Sequence, residues 1–189
     1  MEEMSPVYKG NNPSAIRSQK WLTQSLLQLM DSKPYRKISV KEITELSDLS
    51  RQTFYQLFKT KEEILEYHLD QLFQSYLQEI MNLEVRSTAE LAKLYFIFFE
   101  QNERFIRQLI ENDLVLILHR KFIVYLEDIH RVLQRNPSHM MNDYASAFIS
   151  SGLIGILVHW FNEKHSLTID QLASLISRLI NDVDWSGST

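Results

Sequence analysis

The chain has 189 residues, of which 44% are hydrophobic, so it can form a buried core and is not expected to be disordered throughout. It has no cysteine, which excludes disulfides, thiolate metal sites and a cysteine nucleophile. The net charge is −4, yet residues 10–61 hold nine Lys and Arg against four Asp and Glu, which gives +5 there and −9 elsewhere. A basic N-terminal third on an acidic body indicates that one end of the protein meets a polyanion.

The sequence gives no sign of export or of membrane insertion. Its first residues do not show the basic and then apolar pattern of a signal peptide. The most apolar run, residues 148–161, is too short to span a bilayer and contains Ser, Gly and His. We therefore expect a soluble, cytoplasmic protein with no membrane partner.

Start and stop signals predict two helices in the first 46 residues. Asn12 and Pro13 form a cap with proline in the first turn, and apolar residues then recur at helical spacing up to residue 30. Pro34 ends this helix because it disfavours helical geometry in the residue before it. Ser39 and Glu42 have the spacing of a capping box, which opens a short second helix.

Two more helices follow at once. Ser50 is a suitable cap for a third helix, which has a small apolar face. The residues of that face are Phe54, Leu57 and Phe58. Thr60 and Glu63 form a further capping box, which opens a longer amphipathic helix over residues 60–80.

Beyond residue 82 the apolar pattern stays helical. The predicted helices span residues 88–100, 102–111, 113–134, 140–163 and 169–183, and the last opens with a capping box at Thr168 and Gln171. Residues 114–126 include two runs that favour strands, but no turn pair separates them, so we predict one long buried helix. The predicted fold is all-α, with an N-terminal helix-turn-helix domain over 13–60, a connecting fourth helix over 60–80, and a larger helical bundle over 81–185.

The second and third helices are joined by only a few residues. This is the arrangement of a helix-turn-helix, whose second helix enters the major groove of DNA. At 100° per residue the outward positions of the third helix are Gln52, Gln56 and Lys59, with Thr53 and Tyr55 on the flanks. Arg51 at the helix start can reach a base edge or a phosphate, and Gln and Arg are common partners of adenine and guanine. An ordinary helical corner with a solvated outer face has the same geometry.

Residues 38–65, ISVKEITELSDLSRQTFYQLFKTKEEIL, resemble the DNA-binding region of the TetR family of transcriptional regulators. The residues in register with the family pattern are Ser39, Ser50, Arg51, Thr53, Phe54, Tyr55, Phe58, Lys61 and Glu62. The resemblance implies that Thr53 and Tyr55 touch phosphates or bases. It also implies that Ser39 and Lys61 hold phosphates at helix N-termini. The DNA-binding residues expected from geometry and resemblance together are Ser39, Arg51, Gln52, Thr53, Tyr55, Gln56, Lys59 and Lys61.

Two glycines lie inside the predicted helix 140–163. Gly152 and Gly155 each cost about 1 kcal/mol relative to alanine there. The close approach of another helix, as in a dimer interface, would explain them. The alternatives are that the glycines pack within the monomer or that they make room for a ligand. TetR-like proteins dimerise through their last two long helices, so the resemblance implies a homodimer. The expected interface residues are Ala145, Ser151, Gly152, Gly155, Leu175 and Leu179.

Aromatic and apolar residues are dense in residues 94–105 and 114–126. In TetR-like proteins the middle helices commonly enclose an effector pocket, so the resemblance implies a small-molecule effector, which the sequence does not identify. The candidate lining residues are Phe96, Phe99, Phe105, His119, Phe122, Tyr125 and Trp160. Plain hydrophobic core is the other interpretation of these residues.

The sequence offers little for metal binding or catalysis. Residues 127–130 have the Glu-x-x-His spacing of di-iron bundles, but those proteins need two copies and further carboxylates. A zinc site would require scattered histidines to converge. Those histidines are His119, His130, His139, His159 and His165. Because no catalytic triad, phosphate loop or paired-carboxylate motif is present, we predict no metal, no cofactor and no enzyme activity.

These observations predict a one-component transcriptional regulator. We expect a homodimeric repressor that a small-molecule effector releases from a palindromic double-stranded DNA operator, since two recognition helices about one DNA turn apart read such a palindrome. The alternative is a TetR-fold coactivator or adaptor that acts through protein contacts without binding DNA. The intact Arg51, Thr53 and Tyr55 favour the first interpretation.

Overall fold

The computed structural model describes residues 10, 12–83, 87–132 and 143–181, and within these ranges the chain is helical with no strand. The N-terminal elements are α1 (Pro13–Met30), a 3-10 turn (Tyr35–Lys37), α2 (Val40–Leu46), α3 (Arg51–Leu57) and α4 (Lys61–Met81). The remaining helices are α5 (Thr88–Gln101), α6 (Glu103–Glu111), α7 (Val115–Val132), α8 (Asp143–Asn162) and α9 (Ile169–Asn181). The all-α prediction and the single helix across residues 115–126 are therefore confirmed.

Helix capping explains most of these boundaries. The Asn12 side chain accepts a hydrogen bond from the Ser14 amide at 3.0 Å. The predicted capping boxes at residues 39–42 and 168–171 both form with reciprocal hydrogen bonds. The box at residues 60–63 differs from the prediction, because the Glu63 carboxylate accepts from the Lys59 amide at 2.6 Å. A capping box at residues 87–90, which our sequence analysis does not include, opens α5.

The N-terminal helices share a small core. Helix α1 packs against α2, α3 and α4, and α2 packs against α3. The buried side chains of this core include Leu22, Leu26, Ile43, Phe54, Phe58, Ile64 and Leu65. Helix α3 has only seven residues, so its position depends on its packing against α1 and α2.

The C-terminal helices pack around an aromatic core. Helix α5 lies along α9, α4 along α7, and α7 along α8. The Phe73 ring of α4 is fully buried, and its centroid lies 4.3 Å from that of Tyr125 and 6.0 Å from that of Phe122. Helix α4 thus runs from the N-terminal core into the C-terminal one. None of the helices within the described ranges is long and apolar enough to cross a membrane.

Candidate nucleic-acid interface

The turn between α2 and α3 holds the two helices in a helix-turn-helix arrangement. It consists of residues 47–50, in which Asp48 adopts a left-handed conformation with φ of 53°. This conformation is uncommon for residues other than glycine, although Asp tolerates it better than most. The Leu49 amide donates to the Thr44 carbonyl at 3.0 Å and so closes the end of α2. Ser50 then caps α3 by accepting from the Thr53 amide at 3.0 Å.

Helix α3 has one buried and one exposed face, as its sequence predicts. Phe54 and Leu57 are buried against the N-terminal core. Tyr55 is 59% exposed, although its ring also meets the Phe54 ring edge-on. The fully polar positions Arg51, Gln52 and Gln56 are exposed, and so is Lys59 just beyond the helix. The expected base-reading side chains therefore lie on one accessible surface.

Thr53 is less accessible than its neighbours. Its side chain is half-buried, and its hydroxyl lies 2.9 Å from the hydroxyl of Ser50, which caps the same helix. A hydroxyl both donates and accepts, so Thr53 can bond to Ser50 and still offer a second bond to a phosphate.

Two of the expected phosphate ligands already have partners within the chain. The Lys61 ammonium donates to the carbonyls of Tyr35 at 2.7 Å and Ile38 at 2.9 Å, and it lies 4.1 Å from the centroid of the Tyr35 ring. Burial lowers the pKa of Lys61 from its usual value. With two of its three protons engaged, Lys61 joins the 3-10 turn to α4 and retains one N–H for a phosphate.

The Ser39 hydroxyl has a similar internal role at the start of α2. It accepts from the Glu42 amide at 3.3 Å and donates to the Glu42 carboxylate at 2.8 Å. Hydrogen bonds from Lys33 and from Ser39 hold the pKa of Glu42 at about 2. Glu42 therefore stays ionised and paired with Lys33, and the Ser39 hydroxyl is engaged within the chain.

Two basic residues that were not among the predicted DNA contacts lie near α2. Arg36 and Lys37 are exposed in the 3-10 turn immediately before Ser39. Within the described ranges, neither forms an ion pair, and the same holds for Lys20, Arg51 and Lys59. The signal was present in the sequence as adjacent basic residues after Pro34. These unpaired cations account for much of the positive charge of residues 10–61.

The seven candidate effector residues do not converge on one place. Phe99, Phe122 and Tyr125 surround Phe73, and Phe96 lies next to Trp160 with ring centroids 5.4 Å apart. Two others lie elsewhere. Phe105 packs against His68 at the junction of α4 and α6, and the His119 Nε2 atom lies 3.0 Å from the Ser151 hydroxyl at the junction of α7 and α8.

Tyr95 is a residue of the aromatic core that our sequence analysis does not single out. It is 4% exposed, and its ring centroid lies 4.7 Å from that of Phe99 and 5.2 Å from that of Phe122. Its hydroxyl has no hydrogen-bond partner among the described residues. Burial raises the pKa of Tyr95 well above its usual value, so the hydroxyl stays protonated and can donate.

The expected dimer residues lie on two helices. Ser151, Gly152 and Gly155 are exposed on α8, whereas the side chain of Ala145 lies outside the described residues. On α9, Leu179 is 52% exposed and Leu175 is half-buried. A methyl group added at either glycine meets no atom within 4 Å. Within the described residues, the chain therefore does not itself fill the space beside these glycines.

The described residues contain no group of three His, Asp or Glu side chains placed to hold a metal ion. His119 contacts serines on α8, and His165 stacks on Trp160 with ring centroids 4.1 Å apart. The side chains of Glu127 and His130, and all of His139, lie outside the described residues.

Helix α6 bonds directly to the N-terminal domain through one stripe of polar side chains. Arg104 forms an ion pair with Asp31, and its Nε donates to the Asp31 carboxylate at 3.1 Å. Gln108 donates to the same carboxylate at 2.6 Å, and Asn112, just beyond the helix, accepts from the Tyr35 amide at 2.7 Å. We call these three residues the α6 stripe. It connects α6 to the end of α1 and to the 3-10 turn before α2.

Two family models match the chain. The model described as "Bacterial regulatory proteins, tetR family" matches residues 22–67, and the model described as "Transcriptional regulator C-terminal region" matches residues 86–182. The second match alone covers more than half of the chain.

Individual proteins agree with these matches. The HTH-type dhaKLM operon transcriptional activator DhaS of Lactococcus lactis subsp. lactis (strain IL1403) is 33% identical over 72 residues, which cover 38% of this chain and 36% of that protein. The chain therefore matches only about a third of that relative's length.

Two solved structures have the same fold. A TetR transcriptional regulator from Streptococcus agalactiae 2603V has a TM-score of 0.63 at 19% identity, over 88% of this chain and 95% of that chain. The dihydroxyacetone kinase operon activator DhaS has a TM-score of 0.56 at 20% identity, over 88% of this chain and 96% of that chain. Together with the family models and the helix-turn-helix geometry, these matches show that the chain belongs to the TetR family of transcriptional regulators.

Proposed function

We propose that this regulator binds operator DNA through α3, with residues 13–60 as the DNA-binding domain. The observation that carries the proposal is the exposed polar face of α3, where Arg51, Gln52 and Gln56 point away from a core that holds Phe54 and Leu57. Arg36 and Lys37 add positive charge beside it, as phosphate contacts require. Tyr55 and Lys59 extend the same surface.

The test is a salt titration with DNA duplexes from the intergenic region next to the gene. Phosphate contacts release counterions, so log K should fall linearly with log salt, and losing one such contact should reduce the slope by about 1. Arg36→Gln and Lys37→Gln are the variants for this measurement, and Lys164→Gln, an exposed cation in the turn before α9, is the matched control. No binding to any duplex would favour the adaptor alternative, and binding with no salt dependence would refute the phosphate contacts.

We further propose that α8 and α9 form a homodimer interface. The open space at Gly152 and Gly155 and the exposed Leu179 support this, because a second helix can approach closely where side chains are missing. A dimer also places two copies of α3 for a palindrome.

The variant Gly155→Leu tests whether the glycines of α8 serve the dimer interface or serve packing within one chain. Gly155 is exposed, and a Cβ atom added there meets no atom within 4 Å among the described residues. Replacing glycine also improves helix propensity by up to about 1 kcal/mol, so each subunit should stay folded. The dimer, in contrast, should dissociate in sedimentation equilibrium. A Gly155→Leu protein that remains as dimeric as the wild type would refute this interface.

We propose that the dimer represses transcription and that a small molecule in the aromatic core releases it from DNA. Tyr95 supports this site, because its buried hydroxyl has no partner among the described residues. Tyr95→Phe removes the donor without changing the packing, so it should leave DNA affinity and thermal stability unchanged while weakening the response to the effector.

The similarity to DhaS, a protein named as an activator, favours a second candidate, activation of a neighbouring operon. A reporter fused to the adjacent promoter decides between the two. Deletion of the regulator should raise expression if it represses and lower it if it activates. The Arg51→Ala variant should reproduce the deletion in either case.

A further inference from the structure

A groove runs between the DNA-binding domain and the regulatory helices. One wall is α1, through Gln24, Leu27 and Gln28, and the other is the corner between α5 and α6, through Gln101 and Phe105. Its volume of about 610 Å³ lies within the range of small-molecule sites, roughly 300–1,000 Å³. The groove is separate from the aromatic core around Phe73.

The groove is lined mainly by carboxamides. The side chains of Gln24, Gln28 and Gln101 are exposed and make no hydrogen bond with the described residues. Asn102 and Gln108 use their NH₂ groups on partners in the chain, which leaves their carbonyl oxygens available. A free carboxamide has an NH₂ group that donates hydrogen bonds and, beside it, a carbonyl oxygen that accepts them. A hydroxyl group can bond to both, because it accepts from the NH₂ group and donates to the carbonyl oxygen.

The groove carries no uncompensated charge. Its only lining side chain with a formal charge is Arg104, whose guanidinium is paired with the Asp31 carboxylate. An anionic ligand would be repelled by this carboxylate at the edge of the groove. A cationic ligand would lose water on binding and would find no unpaired carboxylate in the groove to compensate for that loss. Both kinds of charged ligand are therefore disfavoured relative to a neutral one.

The remaining surface suits the carbon backbone of a hydroxylated molecule. Leu27 and Phe105 supply apolar surface at the base of the groove, and both belong to the packed core or lie against it. Small-molecule sites combine such apolar surface with a few polar groups that fix orientation. We propose that this groove binds an uncharged polyhydroxylated molecule of about the size of a hexitol or hexose.

Such a ligand would contact both halves of the protein at once. Arg104 and Gln108 line the groove and also belong to the α6 stripe, which bonds to Asp31. Binding would therefore act on the same contacts that fix α6 relative to α1. The binding step does not rest on the proposed DNA binding, so the two can fail independently.

The experiment uses saturation-transfer NMR and calorimetry on the full chain without DNA. The neutral probes are D-sorbitol and D-glucose, and D-gluconate and N-methyl-D-glucamine serve as the anionic and cationic analogues of sorbitol. Thermal shift is unsuitable, because polyols stabilise folded proteins by exclusion from their surface. At least one neutral probe should bind saturably, and each charged analogue at least tenfold more weakly than sorbitol or not at all.

The double variant Gln24→Ala/Gln28→Ala should weaken neutral-probe binding at least tenfold. The matched control is Gln74→Ala/Gln78→Ala, which removes two exposed carboxamides with the same spacing from α4. Three results would overturn the proposal: no saturable binding of either neutral probe, charged analogues that bind as tightly, or equal affinity in the groove variant and in the control.

Discussion

The helix-turn-helix and the aromatic core are held together over very different distances along the chain. The first turn of helix α3 is capped by a neighbour in the sequence, since Ser50 accepts a hydrogen bond from the Thr53 amide at 3.0 Å. The Phe73 ring instead meets the rings of Phe98 and Tyr125, which lie on helices α5 and α7. The start of α3 therefore depends on local sequence, whereas the packing of α3 and that of the aromatic core depend on how distant helices are assembled. We therefore expect substitutions on the exposed face of α3 to change DNA binding, and substitutions in the aromatic core to change the free energy of unfolding.

Phe73→Ala should have the largest effect, because it removes the ring around which the core packs. The side chain is fully buried, and truncations of this kind cost about 3–5 kcal/mol. Urea unfolding followed by circular dichroism measures the loss. Gln74→Ala, at the adjacent exposed position, should change stability by less than about 0.5 kcal/mol. Similar losses in both variants would show that the aromatic core is not the main source of stability.

The junction between the two regions should be sensitive to acid. Burial lowers the pKa of His68 to about 4, and its ring meets that of Phe105 with centroids 4.6 Å apart. The unfolded chain takes up this proton near pH 6.5, whereas the folded chain does not until about pH 4. Stability should therefore fall by about 3 kcal/mol as the pH drops through this window.

Comparing the wild type with His68→Leu separates the effect of His68 on the free energy of unfolding from the effects of other titrating groups. Free energies of unfolding measured between pH 7 and pH 4 should decline less steeply in the variant than in the wild type. Parallel profiles would mean that His68 is protonated equally well in both states.

Arg51→Gln and Tyr55→Ala should weaken operator binding by about 1–3 kcal/mol while leaving the free energy of unfolding nearly unchanged. Both side chains are exposed, so their removal costs little packing. Fluorescence anisotropy with labelled operator measures the affinity, and Lys164→Gln controls for the loss of one positive charge. Unchanged affinity in both variants would remove α3 from the DNA interface.

Ser50→Ala should have the smallest effect and the most local one. The loss of an N-cap costs about 1 kcal/mol, and here it frees the first turn of α3. Ser75→Ala, within α4, is the control, because it is exposed and caps no helix. Thermal unfolding of the two variants should differ by a few degrees. If they unfold alike, α3 is held by its core contacts alone.

The same difference in distance explains what the sequence could predict. Caps and helical periodicity lie within a few residues, so the helices, the helix-turn-helix and the outward residues of α3 followed from the sequence. The internal roles of Ser39 and Lys61 did not, since Lys61 reaches carbonyls 23 and 26 residues away. The division of the candidate effector residues among four places depends on tertiary packing, which no local pattern encodes. Tyr95 went unnoticed because its unpaired hydroxyl is visible only once its neighbours are known.

The spacing of the α6 stripe bears on how a signal crosses the molecule. Arg104, Gln108 and Asn112 follow one another at intervals of four residues, or about 6 Å of helix. Because they belong to one short segment, a slide of α6 along its axis moves all three together, and none can be stretched alone. We therefore expect these contacts to act as one unit in fixing α6 relative to the N-terminal helices, and to be lost together if α6 slides along its axis.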